Sequence, residues 1–553
     1  MDNTTDNLRI SALGGFGEIG MNCLTLEVAG KILVVDCGVM FPSFDQPGIN
    51  IIHPSFEYLV SRRDDLAGIV LTHGHEDHIA GVPYLLEQAD LPVYGSRYTI
   101  GLVEQRMREF DHLGRLNARI IDVDDVTDIG PFNIRCFPMP HSIIDNRGLL
   151  IDTPAGRVLH TGDFKLGMRG PTEGRDVLER LREMAADGVD LMICDSTGSQ
   201  ENEISGDESE VTDTLTSLVE ETDGRVYVAA FSSNVERLGA LGEIAKNTGR
   251  KIALCGRSVI THSKIAAQAG ALRLPRQSVI PVEEVQNHPR DRTLVVVSGT
   301  QGESRSALSR LAMENLRHLN VESGDLVALS SRFIPGNEVA ISRTIDRLLR
   351  LGARVVHRDN CPGVHVSGHG SITEIEETIA AVKPRAFIPG HGTYRHLVAC
   401  SEIARREGVP AVMVLSNGEV ARLDPDGLST TEERLPVGKI LIDGGSGVPE
   451  SAMRDRRLLG TRGLLVISWI ATEDGQPVSE IDVILRGVTS DDASPWLCEQ
   501  IRAEVRSILA RMTPELRVDF QRCEEAIKTA IRKFLNKNVS REPYVIVSIY
   551  PDP

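Results

Sequence analysis

Residues 71–81 read LTHGHEDHIAG, and they follow directly on the apolar run that makes residues 67–72 AGIVLT. That run has the length and aliphatic content of a buried strand, and the charged segment after it predicts a helix beginning near Asp77. Four of the six residues from His73 to His78 carry ligand chemistry: His73, His75, Asp77 and His78. Two histidines two residues apart on an extended loop can aim at one ion. Asp77 and His78, at the turn into the helix, can reach a second ion beside it. Imidazole nitrogen and carboxylate oxygen suit zinc, manganese or iron.

Three further strand ends offer the remaining ligands. His141 follows FPMP, Asp163 closes RVLHTGDF, and His391 sits in FIPGHGTYR. Singly, each fits an ordinary capping or core residue. Together they complete a seven-ligand set, with His73, His75 and His141 on one metal, Asp77, His78 and His391 on the other, and Asp163 bridging. Two divalent ions about 3.5–4 Å apart can share a hydroxide, lower its pKa and clamp both oxygens of an in-line displacement at phosphorus. Hydrolysis is the chemistry this arrangement predicts. Asp36, ending KILVVDCG, either orients a ligand from behind or caps a turn.

Composition bounds the rest. The 553 residues exceed the roughly 250–300 at which single cores split, so two to four domains are expected. With 41% hydrophobic and 25% charged residues the chain is ordinary globular material, and no apolar run reaches the roughly 20 residues needed to span a bilayer. The opening MDNTTDNLRI is polar and acidic, unlike a secretory signal. Nine scattered cysteines without a CxxC pair suit reduced thiols, and a cytoplasmic location is expected. The net charge of −18 argues against passive coating of nucleic acid, but not against an enzyme with a local basic groove.

The first part of the chain alternates short apolar runs with glycine turns: LRISALGG, NCLTLEVAG, KILVVDCG, then FNIRCFP (132–138), RVLHTGD (157–163) and LMICD (191–195). A helix is expected around Ile79–Ala89. This pattern predicts layered sheets flanked by helices. From Glu208 to about Arg358 the rhythm becomes strand-then-helix, as RVYVAAFS, KIALCG, TLVVVSG and DLVALSS each precede a helical stretch. The short-strand style then returns with AFIPGHG and AVMVLSNGE. An α/β unit inserted into a β-rich host explains this order. A connecting stretch near Leu441 leads to a smaller αβ tail with helices near Trp496–Met512 and Glu525–Leu535 and a final strand, YVIVSIY.

The ligand residues in this order are similar to the metallo-β-lactamase superfamily. MICDSTG, with Asp195, and HVSGHGS, with His365, Ser367 and His369, resemble its β-CASP nucleases. LGGFGEIGMN, FSSNVERL, SGTQGESRSALSRLA, SSRFIPGNE and VGKILIDG extend the resemblance to the ribonuclease J family over nearly the whole chain. It implies an αββα sandwich at 1–207 and 361–440, a β-CASP insertion at 208–360, a linker at 441–457 and a C-terminal αβ domain at 458–553. It also implies 5′-to-3′ exonuclease and endonuclease action on RNA, in RNA maturation and decay, with zinc or manganese, and a homodimer or homotetramer. Asp195 would orient His369 as the acid for the departing 3′ oxygen. Ser233, Asn234, Ser331, His365 and Ser367 would bind a 5′-monophosphate end on single-stranded RNA. Two departures stand out. Gly390 and Thr393 replace the family's Val and Glu around the last His-Gly pair, and ILRGVTSDDASPWL lacks its aromatic pattern. Another hydrolase on this scaffold would need neither the insertion nor HVSGH. A non-catalytic paralogue within an RNA-decay complex would not need the full ligand set.

Overall fold

The computed structural model describes residues 7–552 apart from 44, 112, 168, 169 and 335. The chain forms two compact units, one of residues 1–41 with 52–440 and one of residues 42–51 with 441–553. In the larger unit the aliphatic runs form two sheets. The first has the order Gly427–Arg434, Glu419–Asp424, Leu8–Gly14, Cys23–Val28, Lys31–Val35, Leu66–Val70, Pro92–Gly95, Asn117–Ile120. The second runs Ala411–Val412, Ala386–Gly390, Leu191–Asp195, Gly156–His160, Arg147–Thr153, Phe132–Pro138, Val126–Ile129. Strand side chains alternate between faces, so one set from each sheet is free to meet the other. Leu8, Ile10, Leu24 and Leu26 of the first share one core with Ile134, Ile151, Ile193 and Ile388 of the second.

The outer face of the second sheet is covered by helices Ile372–Val382 and Tyr394–Arg406, whose Ile375, Ile379, Cys400 and Ile403 pack on Leu159, Met192 and Phe387. Helix Arg97–Glu109 lies against the edge strands of the first sheet. The layering is that of an αββα sandwich.

Leu191–Asp195 pairs in parallel with Ala386–Gly390, Asp195 standing opposite Gly390, although residues 196–385 intervene. That intervening segment builds its own parallel sheet in the order Lys251–Cys255, Thr293–Val297, Val226–Ala230, Leu326–Ser330, Arg354–Val356. Parallel neighbours need a crossover, and the helices Val235–Asn247, Arg257–Gln268, Ala307–Ala312 and Glu338–Arg350 supply them. The insertion has its own core around Tyr227, Val295, Val327, Leu329 and Leu348.

In the smaller unit, strands Asp482–Arg486, Leu464–Ala471 and Tyr544–Pro551 form a sheet backed by helices Ser494–Arg511 and Phe520–Val539. Ile467, Trp469, Ile501, Val505, Ile527 and Ile531 fill its core. Residues 441–457, expected as a connecting stretch, carry the short pairing of Ile442 and Asp443 with Gly447 and Ser446, and a helix from Glu450 to Arg462.

The single helix expected around Ile79–Ala89 is instead two short ones, Glu76–Ile79 and Val82–Leu86. The break is a close approach of backbones. Cys37 N donates to His78 O at 2.7 Å, Gly81 N to Cys37 O at 2.9 Å, and Asn22 N to Asp77 O at 3.0 Å. A side chain cannot fit there: a Cβ on Gly38 would lie 1.6 Å from the Asp77 carbonyl oxygen. Gly38→Ala should therefore displace the HGHEDH turn, at a cost of at least the ~1–3 kcal/mol typical of overpacking. Thermal unfolding and metal content measure it. The control is Gly460→Ala in helix Glu450–Arg462, where nothing lies within 4 Å of the new Cβ. It should be neutral or stabilising by up to about 1 kcal/mol.

Candidate metal centre

Ligand-bearing residues collect at one end of both sheets. His73 follows strand Leu66–Val70, His141 follows Phe132–Pro138, Asp163 follows Gly156–His160, and His391 follows Ala386–Gly390. His73, His75, His141 and Asp163 bring one ligand atom each within 4.8 Å of one another, and so do Asp77, His78 and His391. Asp163 touches both groups. Its Oδ2 lies 3.8 Å from His73 Nε2, 3.7 Å from His141 Nε2 and 3.4 Å from His78 Nε2, while Oδ1 accepts from His391 Nδ1 at 2.7 Å. Asp77 Oδ2 is 3.4 Å from His391 Nε2 and 3.7 Å from His78 Nε2.

The hydrogen bonds behind the rings decide which nitrogens face inward. Asp36 is the hub. Its Oδ1 accepts from Thr72 N at 2.8 Å, and its Oδ2 from Thr72 Oγ1 at 2.8 Å and from His78 Nδ1 at 2.7 Å. Thr72 spends its one hydroxyl hydrogen on Asp36, so it accepts from His73 Nδ1 at 3.0 Å. His141 Nδ1 donates to Gly368 O at 2.6 Å. His75 Nε2 lies 3.1 Å from Ser233 Oγ, leaving Nδ1 inward. Three ring nitrogens therefore crowd one point: His75 Nδ1 is 3.0 Å from His73 Nε2 and 3.2 Å from His141 Nε2, both of which are bare in the neutral rings. Among the described residues His391 Nε2 is buried with no well-directed hydrogen bond, Asp77 Oδ2 lying 3.4 Å away.

Charge tells the same story. Burial, with His78 beside it, holds His73 well below the ordinary histidine range. Burial pushes His75 down to about 4 and, with His75 adjacent, keeps His141 low. All three are neutral ligands near pH 7. Burial opposes charge on His78 and His391 as well, but Asp163 foremost raises both, His391 to about 10. Asp163 is itself held low against its burial, chiefly by His391, and Asp77 by His78. Protons on His78 and His391 thus balance the carboxylates of the protein alone, and a divalent cation would take their place. Crowded ring nitrogens, a buried Nε2 with no well-directed hydrogen bond and buried carboxylates fit divalent metal. Asp36 and His391 both hold left-handed backbones, φ +62° and +45°, a strain of the kind concentrated at functional sites.

Beside this cluster, Asp195 Oδ2 accepts from His369 Nδ1 at 2.7 Å. The His369 ring centroid is 5.0 Å from that of His141 and 5.6 Å from that of His391. Burial opposes its charge, but Asp195 raises its pKa above the ordinary value.

The phosphate candidates lie at adjoining strand ends of the insertion. Val226–Ala230 and Leu326–Ser330 are neighbours, with Ala230 opposite Ser330, and Arg354–Val356 pairs next to them. Ser233, Ser331 and His365 follow these three strands in turn. Ser331 Oγ is buried and has no hydrogen-bond partner among the described residues. Ser367 Oγ donates to His369 O at 3.0 Å and accepts from His369 N at 3.2 Å. Asn234 is spent elsewhere: it caps helix Val235–Asn247, its side chain accepting from Arg237 N at 3.0 Å. Sequence reasoning passed over Thr72, the Gly368 carbonyl and Asn22, whose Nδ2 lies 3.0 Å from His78 Nε2.

Three family models match: the "Beta-lactamase superfamily domain" over residues 33–229, the "Ribonuclease J, beta-CASP domain" over 223–348, and the "Ribonuclease J C-terminal domain" over 451–551. Ribonuclease J of Mycolicibacterium smegmatis is 36% identical over 98% of this chain and 97% of its own length. That of Thermus thermophilus is 36% identical over 98% and 95%. The chain belongs to the ribonuclease J family. Ribonuclease J2 of Bacillus subtilis is also similar, at 33% identity over 98% of each chain. A solved structure from Enterococcus faecalis, titled a protein of unknown function, shares the fold, with a TM-score of 0.52 at 16% identity, covering 75% of this chain and 99% of that one.

As a member of the ribonuclease J family the chain is a hydrolase, a nuclease of the β-CASP metallo-β-lactamase group. Among the described residues no helix is long and apolar enough to cross a membrane. Because Asp36 sets both His78 and, through Thr72, His73, Asp36→Ala should weaken divalent-metal binding about 10–100-fold, as loss of a ligand-orienting partner does. Competition against a chromophoric chelator measures the change.

Proposed function

We propose that this chain is a divalent-metal ribonuclease that trims single-stranded RNA from its 5′ end, also cuts internally, and leaves 5′-monophosphate products. The carrying observation is the adjacency of two groups: a buried His/Asp cluster with inward lone pairs, and the Asp195–His369 pair beside it. The curated relatives named Ribonuclease J support RNA as the substrate. His73, His75, His141, Asp77, His78, His391 and Asp163 would hold two divalent cations, zinc or manganese. When bound, these supply a nucleophile from water at neutral pH and neutralise charge at phosphorus.

The chain's own residues do the rest. Asp195 takes the Nδ1 hydrogen of His369, so Nε2 is the atom that presents a proton to the departing 3′ oxygen. Ser233, Ser331 and His365 receive the terminal phosphate, with hydroxyl and imidazole hydrogens on its oxygens, and Ser367 joins them by turning its hydroxyl hydrogen from His369 O to the phosphate. Asn234 takes part through the helix it caps. The enzyme works in the cytoplasm in RNA maturation and decay, as a dimer or tetramer.

The test uses 5′-monophosphate, 5′-triphosphate and 5′-hydroxyl RNAs with zinc or manganese, reading product sizes and ends. Mononucleotides released first from the monophosphate RNA are expected. His75→Ala and Asp163→Ala should abolish cleavage and lower metal content. His369→Ala should lose about 10²–10⁴-fold in kcat with metal content kept. Full cleavage by metal-stripped His75→Ala protein would overturn the reading.

A further inference from the structure

Arg237 lies on helix Val235–Asn247, 2% exposed, and every hydrogen bond it makes leads toward the same corner of the insertion. Its Nη2 reaches both Glu208 oxygens at 2.8 Å and its Nε one of them at 3.1 Å. Its Nη1 donates to Ser330 O at 2.7 Å, to Ser330 Oγ at 3.1 Å and to His365 Nδ1 at 3.2 Å. Ser330 Oγ in turn donates to Val364 O at 2.7 Å, which ties the strand end before Ser331 to the residue before His365.

A guanidinium has donors only and does not deprotonate in proteins. The His365 nitrogen facing it must therefore carry a lone pair, and the ring's hydrogen must sit on Nε2. A charged ring would set N–H against N–H. Burial, followed by Arg237 and then Arg358, Lys165 and Arg332, also keeps His365 well below the ordinary histidine range. Arg237 brings little net charge of its own, because the mostly buried Glu208 is bound to it two-pronged. We infer that Arg237 is a positioning residue that fixes His365 as a neutral Nε2–H donor to the RNA 5′-phosphate, so that this corner reads the end group by hydrogen bonding, without adding cationic charge. The inference rests on the proposed role of His365 in the phosphate pocket. It assigns no contact between Arg237 and RNA.

The test is a double-mutant cycle on end selectivity, the ratio of kcat/KM for 5′-monophosphate over 5′-hydroxyl RNA. Arg237→Met should lower the ratio about tenfold, as loss of one oriented hydrogen bond to a charged group does. In a His365→Ala background the same change should have no further effect. Additive losses, or equal losses on both RNAs, would mean that Arg237 serves folding alone and overturn the inference. Selectivity unchanged in His365→Ala would sink the phosphate-pocket reading itself, and this inference with it. Selectivity unchanged in Arg237→Met only would sink this inference and spare that reading. If Arg237→Met does not fold, the wild-type chain still decides. With 15N-histidine labelling at neutral pH, the His365 signal, identified by its loss in His365→Ala, should show Nδ1 bare and Nε2 protonated. A proton on Nδ1 would be fatal to the inference.

Discussion

Imidazole nitrogens and carboxylates converge where the ends of two sheets meet, and their charge must be answered by protons or by a cation. His75 Nδ1 stands 3.0 and 3.2 Å from the bare nitrogens of two other histidines, and Asp163 lies beneath all three. Burying carboxylates away from water costs several kcal/mol per group unless charge or hydrogen bonds answer it. The fold supplies that answer through residues set behind the cluster. The Asp36–Thr72 relay sets two rings, the Gly368 carbonyl sets a third, and Gly38 lets the ligand turn lie flat on its neighbour. Two sheets sharing one core make this possible, because ligands carried at strand ends inherit the rigidity of the ladders behind them.

What was legible in the sequence follows from where each choice is made. Apolar runs between glycine turns gave the sandwich strands, and strand-helix alternation gave the parallel insertion. Both patterns are local and periodic. The broken helix after His78 was not legible, because its cause is a backbone approach to Cys37 and Gly38, some forty residues earlier. Nor was the joining of residues 42–51 to the C-terminal unit, which no local pattern announces. Side chains that are the chemistry, such as His73 or Asp163, announce themselves. Those that hold them do not. Thr72 reads as a strand former, the Gly368 carbonyl has no side chain to read, and Asn234 looks alike whether it caps a helix or grips a phosphate.

The same contrast applies to Arg237. Within FSSNVERL an arginine on a helix reads as a solvated charge, since arginine is almost never fully buried unless paired. Its partner Glu208 lies at the start of the preceding helix, so the pair becomes visible only once the two helices are packed.

The placement of the insertion brings its strand ends to the His/Asp cluster of the sandwich. The chain leaves the second sheet at Asp195 and, after the insertion, returns through helix Ile372–Val382 to the strand that ends at Gly390, so Asp195 and Gly390 stay paired in the sheet. Whatever is inserted there begins and ends beside His391 and Asp195. Parallel strands then point their carboxyl ends the same way, and loops at that edge form the usual crevice for ligands. The central strands Val226–Ala230 and Leu326–Ser330 are adjacent, which brings Ser233 and Ser331 to one edge although nearly a hundred residues separate them. Ser233 reaches His75 across this boundary. A hydroxyl carried by the insertion thus meets a ring of the His/Asp cluster, so the two parts of the fold share one hydrogen-bond network.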